Sequence, residues 1–247
     1  MNFDLLAKYG PRMLEGLLVT LEIVGLSVTL GLVLAIPVAL ARVSKSRILR
    51  GISFAYVYFF RGTPLLAQVF LVYYGSGQFR HALTAVGLWP FFREAFFCCV
   101  LTFTLNTAAY QAEIFRGAIR SVPRGQSEAA QALGLRTFPT FLRVVLPQAM
   151  VVALRPLGNE IILMIKGSAV AAVVTVFDLM GVTRLAYARS FDISVYLWAA
   201  VLYLIVVETL RRLWDLLERY LTRHLHARQP TSQSADSVAP DAEGVVG

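Results

Sequence analysis

Five stretches of this chain, at about 17–41, 52–75, 95–115, 146–166 and 193–212, are apolar over close to the length a bilayer demands. A helix needs about 20 mostly apolar residues to cross the hydrocarbon core. Inside that core the backbone has no water to bond to, so a lone segment must pair its own N–H and C=O groups and becomes a helix. The pattern predicts an all-α integral membrane protein with five transmembrane helices. Composition agrees, because 57% of the 247 residues are hydrophobic and only 15% charged. That leaves too little polar surface to coat a water-soluble globule of this size.

Two of the runs carry interruptions. Within 52–75 stands "FRGTP" at 60–64, where Arg61 and Pro64 predict an interfacial turn before a membrane helix that begins around Thr63. After the fourth run, Ala169–Phe177 is apolar but too short to cross, which predicts a half-helix or re-entrant piece packed on protein. Acidic residues and Pro11 precede the first run, a poor match to a cleavable signal, so that run is expected to stay as a membrane helix.

The basic residues give the orientation. Arg42, Lys45, Arg47 and Arg50 follow the first run, Arg116, Arg120, Arg124, Arg136 and Arg143 the third, and Arg211, Arg212, Arg219, Arg223 and Arg228 the fifth. The intervening segments hold fewer. The positive-inside bias therefore puts the N-terminus outside, the C-terminus inside and the segment 116–145 in the cytoplasm. Aromatics at Tyr73, Tyr74, "WPFF" at 89–92 and Trp214 fall at the expected interfaces. The net charge of +8 thus serves orientation and does not form the basic stripe of a nucleic-acid binder. Residues 226–247 are polar and rich in small residues, which predicts a disordered cytoplasmic tail behind a transmembrane domain at 1–225. Cys98 and Cys99 are adjacent within an apolar run and read as small core residues.

The cytoplasmic segment is long and heavily punctuated. Ser121 is a candidate cap and Pro123 suits an opening turn. Strong helix formers run from Gln126 to Leu133, and Gly134 can take the left-handed conformation that ends a helix. Thr137 and Pro139 open a second helix leading into the membrane at Leu146 and Pro147. Ala129, Ala130 and Ala132 leave a flat face that a partner could approach closely, or that simply lies on its own subunit.

Within this segment, "EAAQALGLRTFPTFLRVVLP" (128–147) resembles the signature of ABC-importer permease subunits: Glu-Ala-Ala, three residues, Gly, nine residues, an aliphatic, any residue, Leu-Pro. Glu128, Ala129, Ala130, Gly134, Val144, Leu146 and Pro147 occupy its positions. "FRGTPLLAQVFLVYYG" (60–75) and "TFTLNTAAYQAEIFRGAIRSVPRGQ" (102–126) resemble the polar amino-acid branch. "LRPLGNEIILMIKGSAV" (154–170) is similar to the M-type subunits of histidine, lysine/arginine/ornithine and opine importers. Lys166-Gly167-Ser168-Ala169 departs from the acidic residue and Thr-Ser pair that many relatives carry there.

The resemblance implies a type I ABC importer transmembrane fold in a bacterial inner membrane. It also implies a loop helix docked through Glu128, Ala129, Ala130 and Gly134 into a cytoplasmic ATPase. The implied partners are two ATPase copies, a second, paired permease subunit, a periplasmic or extracellular solute-binding protein, an amino-acid substrate and membrane lipid. No cofactor is implied for this chain.

Charged residues within spans are costly and call for a reason. Glu160, beside Asn159, either faces the translocation path and meets a cationic group of the substrate, or is protonated or paired with another helix. Arg155 lies five residues before Glu160, off the same helix face, so the two do not pair without a kink. Glu113 has a natural partner in Arg116 at i+3. Glu22 and Glu208 read as interfacial or paired between helices. Asp178 reads as the cap of a helix running on from Leu179. Asn106, Thr107 and Gln111 read equally as interhelical hydrogen-bonders or substrate contacts.

The chain has no G-x-x-x-x-G-K-[ST] motif, so its energy must come from a partner. It is expected to be a transport subunit and not an enzyme. The alternative is a self-sufficient secondary transporter or channel, against which the lack of an internal repeat argues.

Overall fold

The computed structural model describes residues 3–226, and within them every regular element is helical. The candidate tail from 227 to 247 lies outside the described residues. Helix α1 (Phe3–Val43) is one rod of 41 residues that absorbs Pro11 and Pro37. It therefore begins well before the apolar run at 17–41. Among the described residues four helices are long and apolar enough to cross a membrane, and one bent pair meets the same test when its two helices are taken together.

That pair is divided at the interruption expected at "FRGTP". Helix α2 (Arg47–Gly62) and helix α3 (Leu65–Gln78) meet at 103°, with Thr63 and Pro64 between them. Pro64 has no N–H and disfavours helix at Thr63, whose φ and ψ of −113° and 147° are extended. Short helices α4 (Arg80–Ala85) and α5 (Trp89–Phe92) then lead to α6 (Ala95–Ser121), the second long rod.

Helices α1 and α6 form the spine. Small residues face one another along it: Ala35 and Ala39 pack with Ala112, Phe115 and Ala118, while Ile23 and Val24 meet Cys99 and Phe103. Within a membrane lipid tails are as apolar as leucine, so close van der Waals fit and hydrogen bonds must drive helix association. Ser27 Oγ donates across the seam to the Val100 carbonyl (3.3 Å). Cys98 and Cys99 are buried, free thiols within the same helix.

In the segment between α6 and the fourth apolar run lie α7 (Arg124–Ala132) and α8 (Thr137–Thr140). A π-helical turn (Phe141–Val145) then runs without a break into α9 (Leu146–Gly167). Ser121 is not the cap of α7. Its hydroxyl donates backwards to the Ala118 carbonyl (2.8 Å), and Pro123 occupies the cap position. A short 3₁₀ helix (Ser168–Val174) continues α9, and the two lie within one candidate span, Thr137–Val174. It is followed by α10 (Leu179–Ser190) and the long peripheral α11 (Ser194–His226).

Asp178 caps α10 as expected, its Oδ1 accepting the Gly181 N–H at 2.8 Å. The capped end is also clasped by α1, where Thr20 Oγ1 accepts the Leu179 N–H (3.1 Å) and donates to the Gly16 carbonyl (3.1 Å). Gly16 is required by that approach, because a Cβ there would lie 2.8 Å from the Asp178 carbonyl oxygen. A Gly16→Ala substitution should force α1 and α10 apart and cost about 1–3 kcal/mol. Gly25→Ala, with nothing within 4 Å of the new methyl, should be silent. Thermal denaturation of the detergent-solubilised complex, followed by size-exclusion chromatography, separates the two.

Candidate functional site

A helix interrupted at membrane depth exposes carbonyls that lipid cannot satisfy. Here side chains satisfy them. The Phe59 carbonyl accepts the Thr63 N–H (3.1 Å) and hydroxyl (2.8 Å). The Phe60 carbonyl accepts the Gln68 amide (2.9 Å) and the Asn106 amide (3.1 Å), and Gln68 also donates to the Thr63 carbonyl (3.1 Å). Asn106 in turn donates to Gln68 Oε1 (2.9 Å), closing the network. Tyr56 donates to the Leu105 carbonyl (2.6 Å), so the end of α2 is pinned near the middle of α6. Asn106 is thus an interhelical hydrogen-bonder. Gln68 carries the same load and escaped the sequence reading, although a lone polar residue in "PLLAQVF" was the signal for it.

Beside this break opens a groove of about 200 Å³ lined by Thr63, Leu65, Asn106, Tyr110, Glu160, Leu163, Met164 and Gly167. Glu160 is 6% exposed, and its Oε1 accepts the Thr107 hydroxyl at 3.0 Å. Thr107 accepts the Gln111 amide (3.1 Å), which also reaches the Val28 carbonyl on α1 (3.3 Å). Glu160 is therefore held by a polar relay spanning α9, α6 and α1. Among the described residues no cation forms a salt bridge with it.

Asn159 goes elsewhere. Adjacent residues on a helix point about 100° apart, and Asn159 lines a separate recess with Arg155, Trp214 and Glu218. The structure does not bring it into the groove with Glu160. Arg155, likewise, bonds Glu218 on α11 (2.6 Å) and not Glu160. Beside them the Trp214 indole donates to the Leu154 carbonyl (2.9 Å). Glu113 does pair with Arg116, and also with Arg42 at 3.4 Å, fastening the cytoplasmic ends of α6 and α1. Glu208 pairs within its own helix with Arg211 and Arg212, so it is no link between helices.

On α7 Glu128 and Ala129 are exposed, whereas Ala130 is buried at 6% exposure against the loop itself. The face open to a partner is accordingly narrower than three alanines. It is extended by Leu133 and Phe138, 86% and 71% exposed, which the sequence reading overlooked. Gly134 takes φ +86°. Its N–H bonds the Gln131 carbonyl (2.9 Å) and the Leu135 N–H bonds that of Ala130 (3.1 Å), the pattern of a Schellman helix end.

Apolar helices of bilayer-crossing length, a break held open beside a buried carboxylate and a jointed loop are the features of a membrane transport component. The chain belongs to the family described as binding-protein-dependent transport system inner membrane component, matched over residues 27–223. It is 42% identical over 229 residues to the nopaline transport system permease protein NocM of Agrobacterium fabrum, covering 92% of this chain and 95% of that one. It is 41% identical to the octopine transport system permease protein OccM of Rhizobium radiobacter, over 83% of this chain and 84% of the relative. With the histidine/lysine/arginine/ornithine permease HisM of Escherichia coli K12 the identity is 40%, covering 85% and 89%. The fold superimposes on an amino acid ABC transporter solved with histidines at a TM-score of 0.79 and 32% identity, covering 89% of this chain and 99% of that one. The chain is an importer permease component with the all-helical type I importer fold, and not an enzyme.

Gln68→Leu should leave the Thr63 carbonyl without its side-chain donor and the Phe60 carbonyl with Asn106 alone, at a cost of about 1–3 kcal/mol. The expected outcome is a lower melting point for the solubilised complex together with reduced uptake. Asn106→Asp, which removes the donors but keeps the shape, should act in the same direction.

Proposed function

We propose that this chain forms the translocation path of an ATP-driven importer for a basic amino acid or an opine. The reading carries further that the membrane is the bacterial inner membrane, with the N-terminus outside and the segment 116–145 in the cytoplasm. The spans are those at about 17–41, 52–75, 95–115, 146–166 and 193–212, and the chain needs no cofactor of its own. Two copies of a cytoplasmic ATPase, a second permease subunit and a solute-binding protein complete the assembly. The single observation that carries the substrate reading is Glu160, a buried carboxylate that accepts the Thr107 hydroxyl, forms no salt bridge among the described residues and opens into the groove beside the helix break. A cationic side chain would give it a charge-assisted hydrogen bond. The relatives named for nopaline, octopine and histidine/lysine/arginine/ornithine transport support the same class.

The same geometry suggests how force reaches the site. From Thr137 to Gly167 the chain is helical without interruption, so Glu160 rides on a rod whose cytoplasmic end is the loop. Glu128, Ala129, Leu133 and Gly134 present the exposed end of α7 to the ATPase, and Ala130 packs α7 onto the rod. Closure of the ATPase pair would swing α7 and, through the π-helical turn, tilt α9 against the α1–α6 spine. The alternative of a self-sufficient secondary transporter or channel predicts flux without any ATPase.

Gly134→Pro cannot adopt φ +86°, since proline holds φ near −65°. The expected result is an inserted, assembled complex whose uptake falls at least about tenfold relative to its ATP hydrolysis, whereas Gly134→Ala, costing roughly 1–2 kcal/mol, keeps most of it. Normal uptake by the proline variant refutes the docking role. Glu160→Gln should lower uptake of a basic amino acid by about tenfold or more while affecting a neutral one far less. Equal losses for both would make Glu160 structural.

A further inference from the structure

We infer that Arg61 binds a carboxylate of the substrate, so that the site grips an amino-acid-like solute by both its charges. The inference rests on the reading of Glu160 as the cation site. Arg61 is the penultimate residue of α2, next to the break, and its neighbour Phe60 is bonded to Asn106 in the middle of α6. It therefore lies at the depth of the groove. Its guanidinium carbon sits 5.1 Å from the centroid of the Tyr110 ring. Among the described residues it forms no hydrogen bond and no ion pair.

An arginine at membrane depth is costly and is normally paired. The other arginine within a span, Arg155, has Glu218. For Arg61 the nearest candidate within its own recess is Glu113, but that carboxylate is already shared between Arg42 and Arg116. The five donors of the guanidinium are thus unspent, and the side chain is exposed to the space it borders.

Tyr110 links this arginine to the groove. On one side its ring lines the groove with Thr63, Asn106 and Glu160. On the other it lines, with Arg61 and Glu113, two recesses of about 340 Å³ each. Tyr110 is thus shared between the recesses that hold the Arg61 guanidinium and the groove that holds the Glu160 carboxylate. A planar guanidinium matches a carboxylate through two parallel hydrogen bonds, and a zwitterionic or cationic amino acid offers the complementary pair of ends.

The test is ligand binding by calorimetry to the assembled importer in nanodiscs, without the solute-binding protein. The probes are L-arginine and L-argininamide, which share the cationic side chain and differ by replacement of the carboxylate with a neutral amide. The intact complex should bind L-arginine about tenfold tighter or more. Arg61→Gln should bring the two within about twofold by weakening L-arginine alone. Arg61→Lys, which keeps the charge but loses the fork, should retain part of the preference and guards against a variant that merely fails to assemble.

Glu160→Gln should weaken both ligands alike and leave their ratio intact. If it weakens neither, the cation reading falls while the ratio still reports on Arg61. An intact complex that binds neither ligand, or both equally, overturns the inference. So does an Arg61→Gln variant that weakens both alike, the result expected if Arg61 pairs with a carboxylate of the other permease subunit.

Discussion

Every buried backbone carbonyl in a bilayer must find a donor within the protein, and this chain breaks a helix where that demand is strictest. The break at Gly62–Pro64 is tolerable because Gln68, Asn106 and the Thr63 hydroxyl supply the donors that the missing helical turn would have provided. The consequence is functional geometry. A continuous helix from 47 to 78 would cover the face of α6 that bears Asn106 and Tyr110. The bent one leaves a groove there, lined in part by Glu160 and Tyr110, and Arg61 lies over that same tyrosine ring. The same amides that make the bend stable thus define the space in which a solute can be held.

Around the groove, the α1–α6 spine acts as a fixed frame. Its seam of alanine, serine, cysteine and threonine allows close approach, and the pairs of Arg42 and Arg116 with Glu113 fasten its cytoplasmic end. Helix α9, by contrast, is tied at its cytoplasmic half to α11 by Arg155–Glu218 and by the Trp214 indole. It is also continuous with the cytoplasmic loop through a π-helical turn, a local defect that often marks functional positions. Glu160 therefore lies on the element best placed to move, while its hydroxyl partner Thr107 lies on the frame. Their hydrogen bond spans the surface along which frame and lever would slide.

Much of this was legible in the primary structure, because bilayer thickness, the positive-inside bias and cap chemistry all act on residues close in sequence. Five apolar runs, the punctuation at "FRGTP", the Asp178 cap, the Glu113–Arg116 pair and the left-handed turn at Gly134 are of that kind. Where the reading failed, a partner distant in sequence decided. Asn159 and Glu160 are neighbours, yet helical rotation sends them to different cavities. Ser121 had local chemistry fit for a cap, but the extended Val122 and Pro123 moved the helix start beyond it. Ala130 belongs to the signature run, yet it faces inward because the π-helical turn folds back beneath α7.

By itself, then, the sequence determined that the chain is built of apolar helices of bilayer-crossing length and where the joints lie. Hydropathy and backbone restriction are properties of short segments. Only the tertiary structure decided that Gln68 reaches back across the break, that Thr107 rather than Arg155 holds Glu160, and that Arg61 stands unpaired over Tyr110. Those outcomes depend on which helix faces meet, and long-range packing alone sets the distances between them.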